Sequence, residues 1–451
     1  MIPILTPEEM AAVDAAAPEP VEVLIERAGA AVAAAALDLL GGAYGRRVVV
    51  LAGKGNNGAD GRSAAARLER RGVRVQIVDA LNGPDELPAC DLVIDAAYGT
   101  GFHGEHHAPG VAIGTPVLAV DIPSGVSGTT GEVSGRAMAA DRTVTFAALK
   151  PGLLLEPGCS LAGDVDVADI GLDVGGHRVG LVERDDVAAW LPRRGPQAHK
   201  WQVALLVVAG SPGMLGAAHL CARAAQRAGA GMVRAGCPGV DDDRGRPTEA
   251  VGVALPAHSW GAAALAAADR CHAIVVGPGL GAGDDTRSGL RALLSSDLPV
   301  LVDGDGLTAL GADAADALAH RSAPTVLTPH DGEFERLAGA RPTADRLEAA
   351  RSLAATTGAV VLLKGSPTVV ADPNGEVRVV ASGDSRLATA GTGDVLSGVI
   401  GALLAHGGPA LEAAAAGAWL HGRAATLGPA TGLVAGDLPA LLIAALDEVR
   451  A

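Results

Sequence analysis

Val48-Val-Val-Leu-Ala-Gly-Lys-Gly-Asn-Asn-Gly-Ala-Asp-Gly61 decides the reading of the first half of this chain. A short apolar run feeds a glycine-rich turn. Gly61 to Arg71 is then amphipathic, with Ala65 and Leu68 marking its face and Gly72 its exit. The order is strand, turn, helix. Glycines at such a turn permit positive φ and close backbone approach to a ligand, and the free amides of a helix start converge there. The spacing is neither GxGxxG nor a phosphate loop ending in Gly-Lys-Ser/Thr. Asn56 and Asn57 add carboxamides that a plain phosphate turn does not need; the bland alternative is a tight turn with asparagines in left-handed conformations.

Further short apolar runs lie at Val73–Val78, Leu92–Ile94, Val117–Val120 and Thr143–Phe146. Runs of this kind are strands buried on both faces, and their alternation with helices predicts a Rossmann-like, doubly wound α/β domain. Leu191-Pro-Arg-Arg-Gly-Pro-Gln-Ala-His199 breaks the pattern as a linker would. A second α/β series follows, with strands expected at Ala204–Val208, Ala273–Val276, Val300–Val302, Thr325–Leu327, Val360–Leu363 and Val377–Val380. The expected domains are 1–192 and 193–451.

Composition agrees. Of 451 residues, 49% are hydrophobic but only 2% aromatic, so the cores must be built from Ala, Val and Leu, which favours tight α/β packing. A formal charge of −16 argues against nucleic-acid binding. No stretch reads as a signal peptide or a membrane span. Five cysteines without CxxC spacing fit a reduced, cytoplasmic protein. Lys54, Lys150, Lys200 and Lys364 are the only lysines, so each is a candidate for a specific need for an ammonium.

In an open α/β sheet, ligands lie beyond the carboxyl ends of the strands. Asp95 follows one apolar run, and Asp121 and Ser124 follow another. Asn57, Asp95 and Ser124 are hard oxygen ligands suited to a cation other than zinc. Asp121 reads as an acid–base carboxylate, with a helix cap as the competing role. His103, His106 and His107 lack zinc spacing and read as a solvated loop over the substrate. In the second half, Ala388-Thr-Ala-Gly-Thr-Gly-Asp394 precedes the helical stretch Val395–Ala405. Gly391, Thr392 and Gly393 would aim amides at a phosphoryl group, with Asp394 placed to take a proton from an attacking hydroxyl.

Residues 1 to about 190 resemble the NAD(P)H-hydrate epimerase family, on Ala52–Gly61, Asp95-Ala-Ala-Tyr-Gly-Thr-Gly101 and Asp121-Ile-Pro-Ser-Gly125. The resemblance implies substrate contacts from Asn56, Asn57, Gly58, Ala59 and Asp60. It implies others from the loop Gly99, Thr100, Gly101, Phe102, His103, Gly104 and Glu105. It further implies a potassium ion on Asn57, Asp95 and Ser124, and catalysis by Asp121. Ala59 stands where that family usually has Gly, and its methyl group is expected to crowd the loop.

The remainder resembles the ribokinase-like superfamily and, more narrowly, ADP-dependent NAD(P)H-hydrate dehydratases. The matching segments are Ala209–Ala218, Gly277-Pro-Gly-Leu-Gly281, Thr328–Phe334, Lys364–Thr368 and Gly391–Asp394. By that resemblance Lys364, Gly365, Ser366, Pro367, Thr368, Gly391, Thr392 and Gly393 hold the adenine nucleotide. Ala217, Gly279, Gly281, His330 and Asp394 contact the hydrated cofactor, and Mg²⁺ accompanies the phosphates. His199-Lys-Trp-Gln, Val302-Asp-Gly-Asp-Gly306 and Ser382-Gly-Asp-Ser-Arg-Leu387 depart from the family pattern.

The implied enzyme is bifunctional. An isomerase half interconverts the R and S hydrates, and a lyase half dehydrates the S form, with ADP as co-substrate yielding AMP and phosphate. The alternative is a small-molecule kinase fused to a non-catalytic nucleotide-binding module. Substrates are small molecules; whether the chain forms a homo-oligomer stays open at this level.

Overall fold

The computed structural model describes residues 1–450. The chain divides into two compact units, Ile2–His177 and residues 178 onward. The division falls ahead of the Pro-rich segment, not inside it. The reason is local: Val179–Leu181 pairs in parallel with Val377–Val380, and the apolar side chains of helix Arg184–Trp190 join the second unit's core.

In the first unit a parallel sheet runs in the order Arg74–Asp79, Arg47–Ala52, Leu92–Ala96, Val117–Val120, Arg142–Phe146, Asp164–Ala168. All five junctions are parallel. The last strand has no continuous apolar run, and sequence reading missed it. Apolar clusters cover both faces of the sheet, one under helices Val21–Leu40 and Asn56–Arg70, so its central strands are largely apolar while the two edge strands are not. Chain order reverses between Arg47–Ala52 and Leu92–Ala96, which opens a crevice at their carboxyl ends.

In the second unit the parallel strands lie side by side as Val360–Leu363, Thr325–Leu327, Val300–Val302, Ala273–Val276, Ala204–Val208, Met232–Gly236 and Val251–Val253. Thr368–Ala371 and Val377–Val380 extend the sheet with antiparallel pairing. Helix Thr392–Ala405 is apolar nearly all round and buried along almost its whole length, as an interior helix must be. It approaches helix Leu215–Arg227 so closely that a Cβ at Gly398 would stand 2.1 Å from the Cys221 carbonyl oxygen. Among the described residues no helix is long and apolar enough to cross a membrane.

Candidate active sites

The first site lies in the first unit's crevice. Gly53 follows its strand so tightly against Ala97 that a Cβ would stand 1.9 Å from the Ala97 oxygen. The helix then begins at Asn56, not at Gly61. Asn56–Asp60 therefore form its first turn and a half, not a loop. Ala59 lies in the helix, with its amide bonded to the Gly55 oxygen at 3.1 Å. The glycine requirement is one residue earlier: a Cβ at Gly58 would stand 2.0 Å from the Gly53 oxygen.

Asp121 follows the strand Val117–Val120 with φ of 69°, a region that costs an L-residue on the order of 1–2 kcal/mol. No helix starts behind it among the described residues, which removes the capping role. Lys150 Nζ lies 2.7 Å from Asp121 Oδ1, the Thr100 amide donates to Oδ2 at 3.2 Å, and the Thr145 hydroxyl donates to Oδ1 at 3.3 Å. Burial pushes the Asp121 carboxyl up, but the Lys150 charge and these donors outweigh it and hold it below the ordinary value. Lys150 is itself 2% exposed and also bonded to Thr145 Oγ1 and the Phe146 oxygen. A cavity of about 750 Å³ opens beside this pair; Asn56, Asn57, Asp60, Gly99–His103, Asp121 and Lys150 line it.

Behind the cavity, Asp95 is fully buried. It accepts bonds from the Ser124 hydroxyl at 2.7 Å and the Ser124 amide at 2.9 Å. Burial pushes its carboxyl above the ordinary value against those bonds. Asn57 Oδ1 and Nδ2 are both buried without a partner, and a Cβ on Gly99 would meet Asn57 Oδ1 at 3.4 Å and Asp121 Oδ2 at 2.9 Å. The structure brings Asp95 and Ser124 together, and these two with the orphaned Asn57 oxygen are the kinds of oxygen donor a hard monovalent cation takes.

Of the three histidines expected in a solvated loop, His106 departs from it. His106 is 5% exposed, packs edge-on against the rings of Tyr98 and Phe102, and its strand pairs with Gly135–Arg136. Only His103 faces the cavity; Glu105 and His107 are exposed.

The second site is assembled from strand ends of the second unit. The loop after Ala204–Val208 meets the loop after Ala273–Val276: Ser211 Oγ donates to the Gly279 oxygen at 2.8 Å, and a Cβ on Gly279 would touch Ala217 Cβ at 3.0 Å. The Gly281 amide donates to Asp305 at 2.8 Å. His330 caps helix Asp331–Ala338, its Nδ1 accepting from the Gly332 and Glu333 amides. That fixes the ring proton on Nε2 as a donor.

Lys364 leaves the end of its strand to reach Asp303 Oδ1 at 2.6 Å and Glu333 Oε2 at 4.0 Å. Asp303 is 2% exposed and also accepts from Thr328 at 2.8 Å and Ser397 at 2.7 Å. Burial works against the Lys364 ammonium, but Asp303 and Glu333 outweigh it and raise its pKa. Gly391 starts helix Thr392–Ala405 at φ 91°. A Cβ on Gly393 would stand 3.4 Å from Lys364 Nζ and 3.8 Å from Asp303 Oδ2, whereas one on Gly391 would meet Leu220 and Ala435, so Gly393 is the glycine that faces the ammonium. Asp394 sits in the first turn, and burial with the nearby Asp303 charge pushes its carboxyl up to about 6.

Sequence reading named neither Asp303, Thr145 nor Arg346, whose guanidinium bonds the Lys364 carbonyl at 2.8 Å. Lys150 was signalled only by the scarcity of lysine, a signal that fails for Lys54 and Lys200, which are exposed.

The family model for NAD(P)H-hydrate dehydratase matches residues 205–447, and that for the YjeF-related protein N-terminus matches 21–88 and 79–152. The bifunctional NAD(P)H-hydrate repair enzyme Nnr of Mycobacterium leprae is 42% identical, over 91% of this chain and 89% of its own. Among solved structures, the ADP/ATP-dependent NAD(P)H-hydrate dehydratase of Bacillus subtilis, co-crystallized with ATP/Mg²⁺, is 29% identical with a TM-score of 0.50, covering 59% of this chain and 97% of that one. A ribokinase-like superfamily protein of Enterococcus faecalis shares the fold at a TM-score of 0.53 and 21% identity, over 62% of this chain and 99% of that one. The chain belongs to the family of bifunctional NAD(P)H-hydrate repair enzymes.

Proposed function

We propose that the first unit interconverts the R and S hydrates of NADH and NADPH, and that the second dehydrates the S form at the expense of ADP. The observation that carries this is the pairing of a strained, ionised Asp121 beside a 750 Å³ cavity with a second carboxylate, Asp394, in the first turn of a helix whose Gly393 faces the Lys364 ammonium.

The substrate carries a hydroxyl on C6, next to ring nitrogen N1. Epimerisation needs one bond at C6 broken and remade. Asp121, held ionised, takes the hydroxyl proton and returns it. Asn57, Asp95 and Ser124 would hold potassium, which supplies a fixed positive charge beside the substrate. The Asn56–Asp60 turn and the Gly99–Glu105 loop would embrace the cofactor.

In the second unit, hydroxide is a poor leaving group from C6. Asp394 takes the C6 hydroxyl proton as that oxygen attacks the terminal phosphorus of ADP, and AMP departs. The amides of Gly391–Gly393 and the Lys364 ammonium face the charge on the transferring group. N1 then expels phosphate, leaving an N1=C6 iminium, and C5 gives up a proton to the departing phosphate, which restores the C5=C6 bond of the dihydronicotinamide. Lys364–Thr368 would carry the nucleotide; Ala217, Gly279, Gly281 and the Nε2–H of His330 would orient the hydrate. Mg²⁺ would accompany the nucleotide phosphates and supply charge neutralisation there.

Mixed epimers with ADP or ATP, followed by absorbance at the reduced-nicotinamide band, test both halves. Complete recovery requires both activities; arrest near half would remove the epimerase reading, and a stable phosphorylated product without recovered absorbance would replace the dehydratase with a kinase. We infer a cytoplasmic site of action from the free thiols of all five cysteines and the reduced-cofactor substrate.

A further inference from the structure

Four carboxylic acids line the first unit's cavity, Asp14, Glu19, Asp60 and Asp121, against one ammonium, Lys150; Glu19 is paired with Arg27 at 3.2 Å. Lys150 is committed to Asp121 at 2.7 Å. Asp60 is 7% exposed and lines the cavity from the first turns of helix Asn56–Arg70. No donor acts on it: its environment consists of burial and the charges of Asp121 and Asp14. Asp14, Asp60 and Asp121 crowded around one ammonium do not all ionise. When environments push two such groups apart, one is the acid and the other the base.

We propose that Asp60 is the general acid of the epimerase, acting opposite Asp121. The assignment rests on the epimerase reading of this unit and deepens it. Asp121 takes the proton of the C6 hydroxyl as the C6–N1 bond breaks, giving a C6 aldehyde. The bond's electron pair goes to N1, where conjugation through C2=C3 to the carboxamide spreads it, and Asp60 delivers its proton to N1. Rotation about C5–C6 turns the other aldehyde face toward the nitrogen. N1 closes on C6, its proton returns to Asp60, and the new alkoxide recovers its proton from Asp121. No oxidant or other reactant is consumed.

The charge state supports this. Burial, then Asp121, then Asp14 push the Asp60 carboxyl up to about 8, so it carries a proton at neutral pH. Asp14 is also raised, first by burial, with Lys150 opposing and Asp121 adding. Tyr98 and His103 are the remaining titratable groups on the cavity wall.

The test uses the full chain without ADP, at constant potassium, with purified R hydrate and chromatographic separation of the epimers. Wild type should lose rate above pH about 8. Asp60→Asn should lower kcat about 100-fold or more, with little change in KM and no alkaline limb. A wild-type rate and pH profile in Asp60→Asn would overturn the acid while leaving the epimerase reading intact. Absence of epimerisation in wild type would remove that reading and the acid with it. Difference infrared spectra are independent of activity: a protonated-carboxyl stretch near neutral pH that disappears in Asp60→Asn is expected, and identical spectra would sink the proposal.

Discussion

Lys150 Nζ and Asp121 Oδ1 stand 2.7 Å apart, with Lys150 almost completely enclosed. An ammonium so buried is tolerable only with a partner, and removing one member of such a pair typically costs about 3–5 kcal/mol. Lys150→Met should therefore destabilise the first unit by about 3 kcal/mol. Burial would then act on Asp121 unopposed by that charge, and its carboxyl should rise from below to above the ordinary value. The acid limb of epimerisation should move to higher pH. Lys150→Met with Asp121→Asn should regain most of the stability in denaturant melts and none of the rate.

Asp394 differs in sign. Its carboxyl is pushed up to about 6, first by burial and then by Asp303. As a base it must be ionised, so ADP-dependent dehydration should fall as pH drops through about 6 and level off above it. Asp394→Asn should reduce the rate by about 10²–10⁴-fold and leave epimerisation unchanged. Because the folded state holds the proton more tightly than the unfolded chain, the ionised wild-type side chain costs stability at neutral pH and not at pH 4. Asp394→Asn should melt higher than wild type at pH 7, and that gain should shrink at pH 4.

Gly391 and Gly393, both at the start of helix Thr392–Ala405, separate two substitutions that look alike on paper. At Gly393 the backbone is ordinary, and an added methyl would stand 3.4 Å from Lys364 Nζ, in the space assigned to phosphate. Gly393→Ala should leave stability within about 0.5 kcal/mol while raising the ADP KM at least tenfold. At Gly391, φ of 91° makes any side chain strained, and Gly391→Ala should cost about 1–2 kcal/mol. Thermal melts and ADP titrations of the two variants distinguish the effects.

The expected strands of both units were legible because buried parallel strands must be short apolar runs between glycine-rich turns. Asp164–Ala168, an edge strand with alternating acids, has no such run and stayed hidden. The start of helix Asn56–Arg70 was misplaced because glycine and asparagine read as turn residues, whereas here Gly58 serves a backbone contact and not a turn. Asp121 and Asp394 were visible as acids at strand or helix ends. Lys150 and Asp303 were not assignable to the sites, because what joins each to its partner is sheet order, with Lys364 and Asp303 reaching from strands separated by Thr325–Leu327. The burial of His106 likewise depends on its pairing with Gly135–Arg136, which no local pattern announces.

Gly58 and Ala59 turn that misreading into a measurement. A Cβ at Gly58 would lie 2.0 Å from a backbone oxygen, which cannot move without disturbing the turn. Gly58→Ala should destabilise the first unit by more than about 2 kcal/mol and abolish epimerisation. Ala59→Gly restores the family's usual residue yet removes a good helix former, so it should cost up to about 1 kcal/mol and leave the rate within twofold. Equal penalties for the two would contradict the placement of the glycine requirement.

Asn57, with both carboxamide atoms buried and unpartnered, and Asp95, buried with its carboxyl pushed above the ordinary value, predict a cation-dependent melt. A ligand bound only by the folded state stabilises it by RT ln(1 + [L]/Kd), about 2.7 kcal/mol at a hundredfold excess over Kd. The first unit should melt several degrees higher in potassium chloride than in choline chloride of equal ionic strength. Asn57→Leu removes an unsatisfied amide together with a ligand oxygen. It should melt no lower than wild type in choline and gain nothing from potassium. A potassium response that survives in Asn57→Leu would place the ion elsewhere, because the substitution leaves Asp95 and Ser124 in place but deletes the orphaned oxygen that motivates the site.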